Sequence, residues 1–294
     1  MHWLLPIAKL SMLVFMVSNM LGFGMRLSPR EVIESVRDKK LTLKAFLGNF
    51  VIVPLAAYFL TRLFHLSPAY SMTLILLATS GGDPGVTKAS QISKGDPAYT
   101  VATMVGLQLV TVFYMPIMLP RLISGVTVDP LKIASPLVTF LLLPLFVGFG
   151  IRAWWSKLAR ACWEPLDKFS SVVLALAIVL FVIVDFKEIL GTRGSHLLVA
   201  CLAFIAICFV TGFLLGGPRR IRRSDLALQT LIRGLSASMV VALTNFPNDT
   251  DLIAGILLCT VAMILSAIIA SVWLRAWNTK ERGETLKQEA QQPV

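Results

Sequence analysis

The sequence predicts an all-α polytopic membrane protein. It has nine transmembrane helices, two of them broken, in two halves of inverted topology. Three observations predict this. The 294 residues are 56% hydrophobic and only 15% charged, against about 25% charged in soluble domains, and the mean hydropathy is +0.78. A soluble globule of this size needs far more polar surface, so that class is excluded. Apolar runs recur along nearly the whole chain at the length, about 20 residues, that crosses a hydrocarbon core. Two of those runs are interrupted midway by glycine and charge, at corresponding places in the two halves.

The first span, 4–25, reads as retained, because no small-residue cleavage site follows Met25. The second, 42–63, carries Asn49 and Pro54. The third, 69–93, is apolar to Thr79 and then breaks at Ser80-Gly81-Gly82-Asp83-Pro84-Gly85. Proline removes a backbone donor and clashes one turn back, and glycine adds backbone entropy. In lipid, the freed backbone groups need protein or a watery cavity beside them. The fourth, fifth and sixth spans are 97–123, 131–155 and 169–187. The seventh, 196–217, places Cys201 and Cys208 on one face as small packing residues. The eighth, 225–246, holds Arg233-Gly234 and the run Ser236-Ala237-Ser238 near its middle. The ninth is 251–277, and the polar stretch 278–294 reads as a solvated cytoplasmic tail.

The formal charge is +11, which in a soluble protein would suggest a nucleic-acid partner. Here the basic residues lie mostly between spans, with the bias of the positive-inside rule. Of 27 Lys and Arg, 18 fall on one side, among them Arg26, Arg30, Arg37, Arg152, Lys157, Arg160, Lys168 and the cluster Arg219 to Arg223. Six fall on the other side, and Lys44, Lys88 and Arg233 lie within spans. The N-terminus is then outside, the C-terminus cytoplasmic, and the protein sits in an inner or plasma membrane. Lys44 stands near a boundary and snorkels.

The third and eighth spans are five apart, so they cross in opposite senses. Spans 1–4 and 6–9 pair as halves, about 1–125 and 165–277, of one transmembrane domain 1–277, with span 5 as connector. Interrupted helices at matching places in inverted halves point to a transporter's central site. A charge near the bilayer centre costs on the order of 2.5–3.5 kcal/mol. Lys88 and Arg233 therefore pair or face water, with Asp83 as a candidate counter-charge. Two readings stand: a salt bridge fastening helices, or an electropositive cavity for a small organic anion. Half-helix N-termini favour the second, since their N–H groups suit carboxylate or sulfonate. The expected lining is Asn49, Ser80, Gly81, Gly82, Asp83, Thr87, Lys88, Arg233, Gly234, Ser236 and Ser238.

No HExxH, GxSxG or Walker loop is present in the sequence, so neither an enzyme nor an ATP-driven pump is expected. Trp3, Trp154, Trp155, Trp163, Trp273 and Trp277 stand near span ends, as interfacial belts do. No cofactor and no nucleic-acid partner is expected; the partners are the lipid bilayer and the anion.

The run Ser80 to Lys88 followed by Lys94-Gly95-Asp96 resembles the first crossover of the bile acid:sodium symporter family. Gly48-Asn49-Phe50-Val51-Ile52-Val53-Pro54-Leu55, Val128-Asp129-Pro130-Leu131 and Gly234-Leu235-Ser236-Ala237-Ser238 are similar to further family segments in the same order. The resemblance covers about Met12 to Trp277. It implies nine or ten spans in a core and a panel domain, two broken helices crossing in the core, and alternating access, usually as sodium symport. The sequence departs from the sodium-dependent members at both crossovers. Asp83-Pro84-Gly85-Val86 replaces their Thr-Ala-Ser-Asn run, and Ile232-Arg233 stands where they carry a Glu. A sodium site would draw on Asn49, Asp83, Thr100 and Thr103. The alternative is that Arg233 and Lys88 stand in for sodium, leaving transport sodium-independent or proton-coupled through Asp83. The leading function is secondary transport of a small organic anion; the competing one is a membrane sensor that binds the same anion without moving it.

Overall fold

A computed structural model of the chain describes residues 4–26, 39–122, 129–189 and 192–290. Arg30 and Arg37, counted above toward the basic side, lie outside the described residues. The described residues form helices and no strand. Among them seven stretches are long and apolar enough to cross a membrane: Pro6–Arg26, Lys40–Leu63, Pro97–Leu122, Pro130–Trp154, His196–Leu215, Arg220–Asn245 and Thr250–Thr279.

In chain order the helices are α1 (Leu4–Arg26), α2 (Lys39–Leu47), α3 (Val53–Leu63), α4 (Pro68–Thr79), α5 (Gly85–Ile92), α6 (Pro97–Leu122) and α7 (Pro130–Leu137). Then come α8 (Leu143–Trp154), α9 (Ser156–Ile189), α10 (Thr192–Leu215), α11 (Arg220–Leu231), α12 (Leu235–Asn245) and α13 (Thr250–Ala290). One π-helical turn, Gly48–Ile52, joins α2 to α3, and another, Val138–Leu142, joins α7 to α8. Each precedes a proline at the second residue of the next helix, Pro54 or Pro144. Proline cannot donate to the carbonyl four residues back and its ring clashes with it, so the ladder widens: Val53 N–H reaches Gly48 O, and Leu143 N–H reaches Val138 O. The Phe50 carbonyl, which Pro54 cannot serve, accepts the Tyr114 hydroxyl at 2.5 Å.

The α1 helix packs along α9 and α8. Its Gly24 meets Gly148 of α8 so closely that a methyl group on Gly24 would strike Gly148 Cα at 3.0 Å. Such approach of two backbones is what small residues permit between membrane helices. The stretch Arg220–Asn245 is 94% buried, whereas the other six spans are 39% to 61% buried. It is thus walled by protein on all sides, as a broken helix in lipid must be.

Three helices outrun their apolar segments. The ninth segment continues as helix to Ala290, and Asn278, placed in the solvated tail by composition, is fully buried. Its amide donates to Ser93 O at 2.9 Å, and its oxygen accepts from the Ser224 hydroxyl, also at 2.9 Å. The sixth segment starts at Ser156 rather than 169, and the eighth at Arg220 rather than 225. Hydropathy marks where apolar sequence ends, and a helix continues for as long as its backbone bonds hold.

Candidate functional site

Both breaks fall where the sequence places them, and they touch. The Gly234 N–H donates to Ser80 O at 3.2 Å, and the Ser80 and Ser238 hydroxyls are 2.9 Å apart. Gly82 sits at φ +81, where an added Cβ would run into the backbone of Met104 and Gln108; only glycine fits both demands. Freed backbone groups find protein partners, as they must away from water. The Gly81 N–H donates to Thr111 Oγ1 at 2.8 Å, and the Gln108 amide, with its nitrogen inward, donates to the carbonyls of Gly82 and Gly81.

Arg233 fills the end of α4. It is only 1% exposed. Its Nε donates to Leu77 O at 3.0 Å and its Nη2 to Ala78 O at 2.6 Å. The Nη1 donates to Asn49 Oδ1, and Nη2 also lies 3.4 Å from Asn49 O. Asn49 is aimed by its own amide, which donates to Ala45 O at 2.9 Å. The last carbonyls of a helix lack intrahelical donors and carry partial negative charge, so a guanidinium fork there answers both needs. The oxygens around Arg233 in these bonds are all neutral.

Asp83 does the converse. Its Oδ1 accepts from Gly85 N–H at 2.8 Å and its Oδ2 from Leu235 N–H at 3.2 Å. One carboxylate therefore caps the N-termini of α5 and α12 together. This corrects two expectations. Asp83 is not the counter-charge of Lys88, and the half-helix N-termini do not present all their N–H groups to a ligand, because an internal anion already occupies them. Lys88 pairs instead with Asp167 of α9 at 3.3 Å, and both side chains are partly exposed. The reason is geometric: Asp83 sits before the first turn of α5, while Lys88 lies a turn further on and reaches across to α9.

Beside the touching breaks lies a cavity of about 320 Å³. Its walls come from α1 (Phe15, Asn19, Phe23, Arg26), α5 (Thr87, Lys88), α9 (Asp167, Ser170, Ser171, Leu174) and α13 (Thr260, Met263, Ile264, Ser271). Asp83, Ile232, Arg233 and Leu235 close it at the breaks. The walls are largely apolar, with Arg26 and Lys88 as cations and Asp167 as the anion opposite Lys88. Of the expected lining, Asp83, Thr87, Lys88 and Arg233 reach this cavity. Asn49, Ser80, Gly81, Gly82, Gly234, Ser236 and Ser238 build the junction behind it and are absent from its walls.

The residues suggested for sodium have separate partners. Asn49 Oδ1 is taken by Arg233, both Asp83 oxygens by backbone N–H groups, and the Thr103 hydroxyl donates to Tyr99 O at 2.8 Å. Thr100 donates to Ser90 Oγ at 3.0 Å, and Ser90 in turn donates to Asp225 Oδ1 at 2.8 Å. Asp225, fully buried, also accepts from Asp96 N–H at 2.9 Å, and so ties the α5–α6 turn to α11. Among the described residues no three His, Cys, Asp or Glu gather in a metal-holding group.

Sequence reading missed Asn19, Arg26, Asp167, Ser170 and Ser171 as wall residues. A signal was present in α1: Phe15, Asn19, Phe23 and Arg26 recur at helical spacing on one face. Nothing in the sequence says that this face meets α5 and α13.

A model of the sodium bile acid symporter family matches residues 13–193. Among curated proteins the chain is similar to BASS1 of Arabidopsis thaliana, described as a probable chloroplastic sodium/metabolite cotransporter: 24% identical over 271 residues, 90% of this chain and 67% of that one. It is 22% identical to Arabidopsis BASS3, likewise described, over 268 residues, 89% of this chain and 62% of that one. With BASS3 of Oryza sativa subsp. japonica the identity is 20% over 277 residues, 92% of this chain and 65% of that one. The chain thus spans about two thirds of the length of these relatives.

Proposed function

The chain belongs to the sodium bile acid symporter family, and from that premise we propose that it is a secondary transporter that moves a small organic anion by alternating access. The observation that carries the reading is the cavity beside the two broken helices, apolar in most of its wall and holding Lys88 and Arg26. An anion with an apolar body is the ligand such a wall suits. Its charged group exchanges with Asp167 for Lys88, and its body lies against Phe15, Phe23, Leu174 and Met263. Asp83 and Arg233 are already satisfied within the junction and hold its shape.

The nine spans of this reading are the seven long ones, the α4–α5 pair and α9, in inverted halves within one domain. Its panel is α1, α7–α8 and α9, and its core the remaining helices. By the positive-inside rule the N-terminus is outside. Arg26, Lys88 and Asp167 then stand toward the cytoplasm, and the conformation is the inward-facing one, in a cell or organellar membrane.

The test is purified protein in vesicles, with short-chain and medium-chain carboxylates, alkyl sulfonates and cholate as probes. The expected result is a thermal shift with at least one probe and counterflow of that probe, both weakened by Lys88→Gln. Binding without counterflow would make the chain a sensor and remove the transport reading.

A further inference from the structure

The C-terminal end of a half-helix is where discontinuous-helix transporters hold a coupling cation, because its carbonyls have no intrahelical donor. In this chain that end of α4 is filled. Leu77 O and Ala78 O, with the oxygens of Asn49 on the neighbouring π-turn, all accept from Arg233. The oxygens are neutral and converge on one buried positive charge, which is the donor set a hard monovalent ion would ask for. Leu77 O also accepts from the Ser80 hydroxyl at 2.9 Å and the Ser80 N–H at 3.3 Å, and the Thr79 hydroxyl turns back to Ile75 O at 2.8 Å. A sodium ion at this point would have to share oxygens with a guanidinium held against it, and like charges in a buried site exclude one another. The residues present do not fit a second cation there.

We propose that the Arg233 guanidinium is the resident cation of this protein, fixed by covalent attachment where a coupling ion would bind, so that the chain carries its anion without sodium. The proposal rests on the transport reading for its consequence but not for its test. A tethered cation cannot dissociate on one side of the membrane and rebind on the other, so it supplies no gradient. Flux then follows the anion's own gradient or exchange against a second anion.

The experiment measures sodium alone. Binding of radioactive sodium to the purified full-length protein is followed by equilibrium dialysis, and thermal midpoints are compared in sodium and choline chloride at equal ionic strength. The wild-type protein is expected to bind no sodium saturably and to show no sodium-specific shift. Arg233→Ala, which vacates the oxygens, is expected to melt lower and to be raised by several degrees on adding guanidinium or sodium. Saturable sodium binding by the wild type overturns the proposal. The buried Gln229 amide, which has no hydrogen-bond partner among the described residues, is where such binding would be sought first, with Gln229→Leu. An Arg233→Ala protein indifferent to both cations also overturns it. If that variant does not fold, the wild-type measurement decides by itself. Absent counterflow with sodium binding also absent would sink the transport reading and leave the resident cation standing.

Discussion

At the scale of single residues, the junction is a matter of two side chains placed with opposite signs. Arg233 answers the negative end of α4, and Asp83 answers the positive ends of α5 and α12. A lysine at 233 keeps the charge and loses the planar fork that serves Ala78 O and Asn49 Oδ1 together, while Leu77 O keeps the Ser80 hydroxyl and N–H as donors. We expect Arg233→Lys to cost about 2–4 kcal/mol, read by chemical unfolding in detergent. Lys88 and Asp167 form a partly exposed pair, worth about 0–1 kcal/mol. Its loss is therefore felt in binding before stability. Lys88→Gln is expected to weaken binding of a transported anion by about tenfold, roughly 1.4 kcal/mol. Asp167→Asn, which frees Lys88, is expected to strengthen it a few-fold. Equal effects of the two variants would remove Lys88 as the anion's partner. Arg233 announced itself in the sequence because a cation in an apolar span must find partners. The partners themselves were not legible: carbonyls look alike in a sequence, and Asn49 is 184 residues away.

At the scale of elements, the breaks were the most readable feature, since Gly-Gly-Asp-Pro-Gly cannot continue a helix. The π-turns were not read, because a proline in a span signals a kink without saying how the freed carbonyl is served. The answer, Tyr114 to Phe50 O, sets up a double-mutant cycle. Tyr114→Phe leaves that carbonyl without a donor and is expected to cost about 1–3 kcal/mol. Pro54→Ala supplies the missing N–H, so in its presence Tyr114→Phe is expected to cost under about 0.5 kcal/mol. Equal costs in both backgrounds, by thermal unfolding, would disconnect the tyrosine from the proline. Helix ends were read short at Asn278, Ser156 and Arg220 for one reason: apolarity stops at the interface and hydrogen bonding does not.

At the scale of the whole molecule, spans follow from the match between apolar run length and hydrocarbon thickness, and both depend on local sequence. The cavity depends on which helix faces meet, and its walls are drawn from α1, α5, α9 and α13, which lie far apart in the chain. That is why Lys88 and Thr87 were anticipated and Arg26, Asn19 and Asp167 were not. The orientation makes a further prediction. In a Cys162→Ser background, since Cys162 is the one cysteine of the four that is not buried, Lys88→Cys is expected to react with a membrane-impermeant maleimide from the cytoplasmic face only. Labelling from the outer face would reverse the topology. The carboxylate of Asp83 binds the starts of two helices with one pair of oxygens. It works as a rivet through both broken helices, so under the proposed alternating access α5 and α12 are expected to travel together. In that reading the surfaces that slide are the seams along α1 and α9.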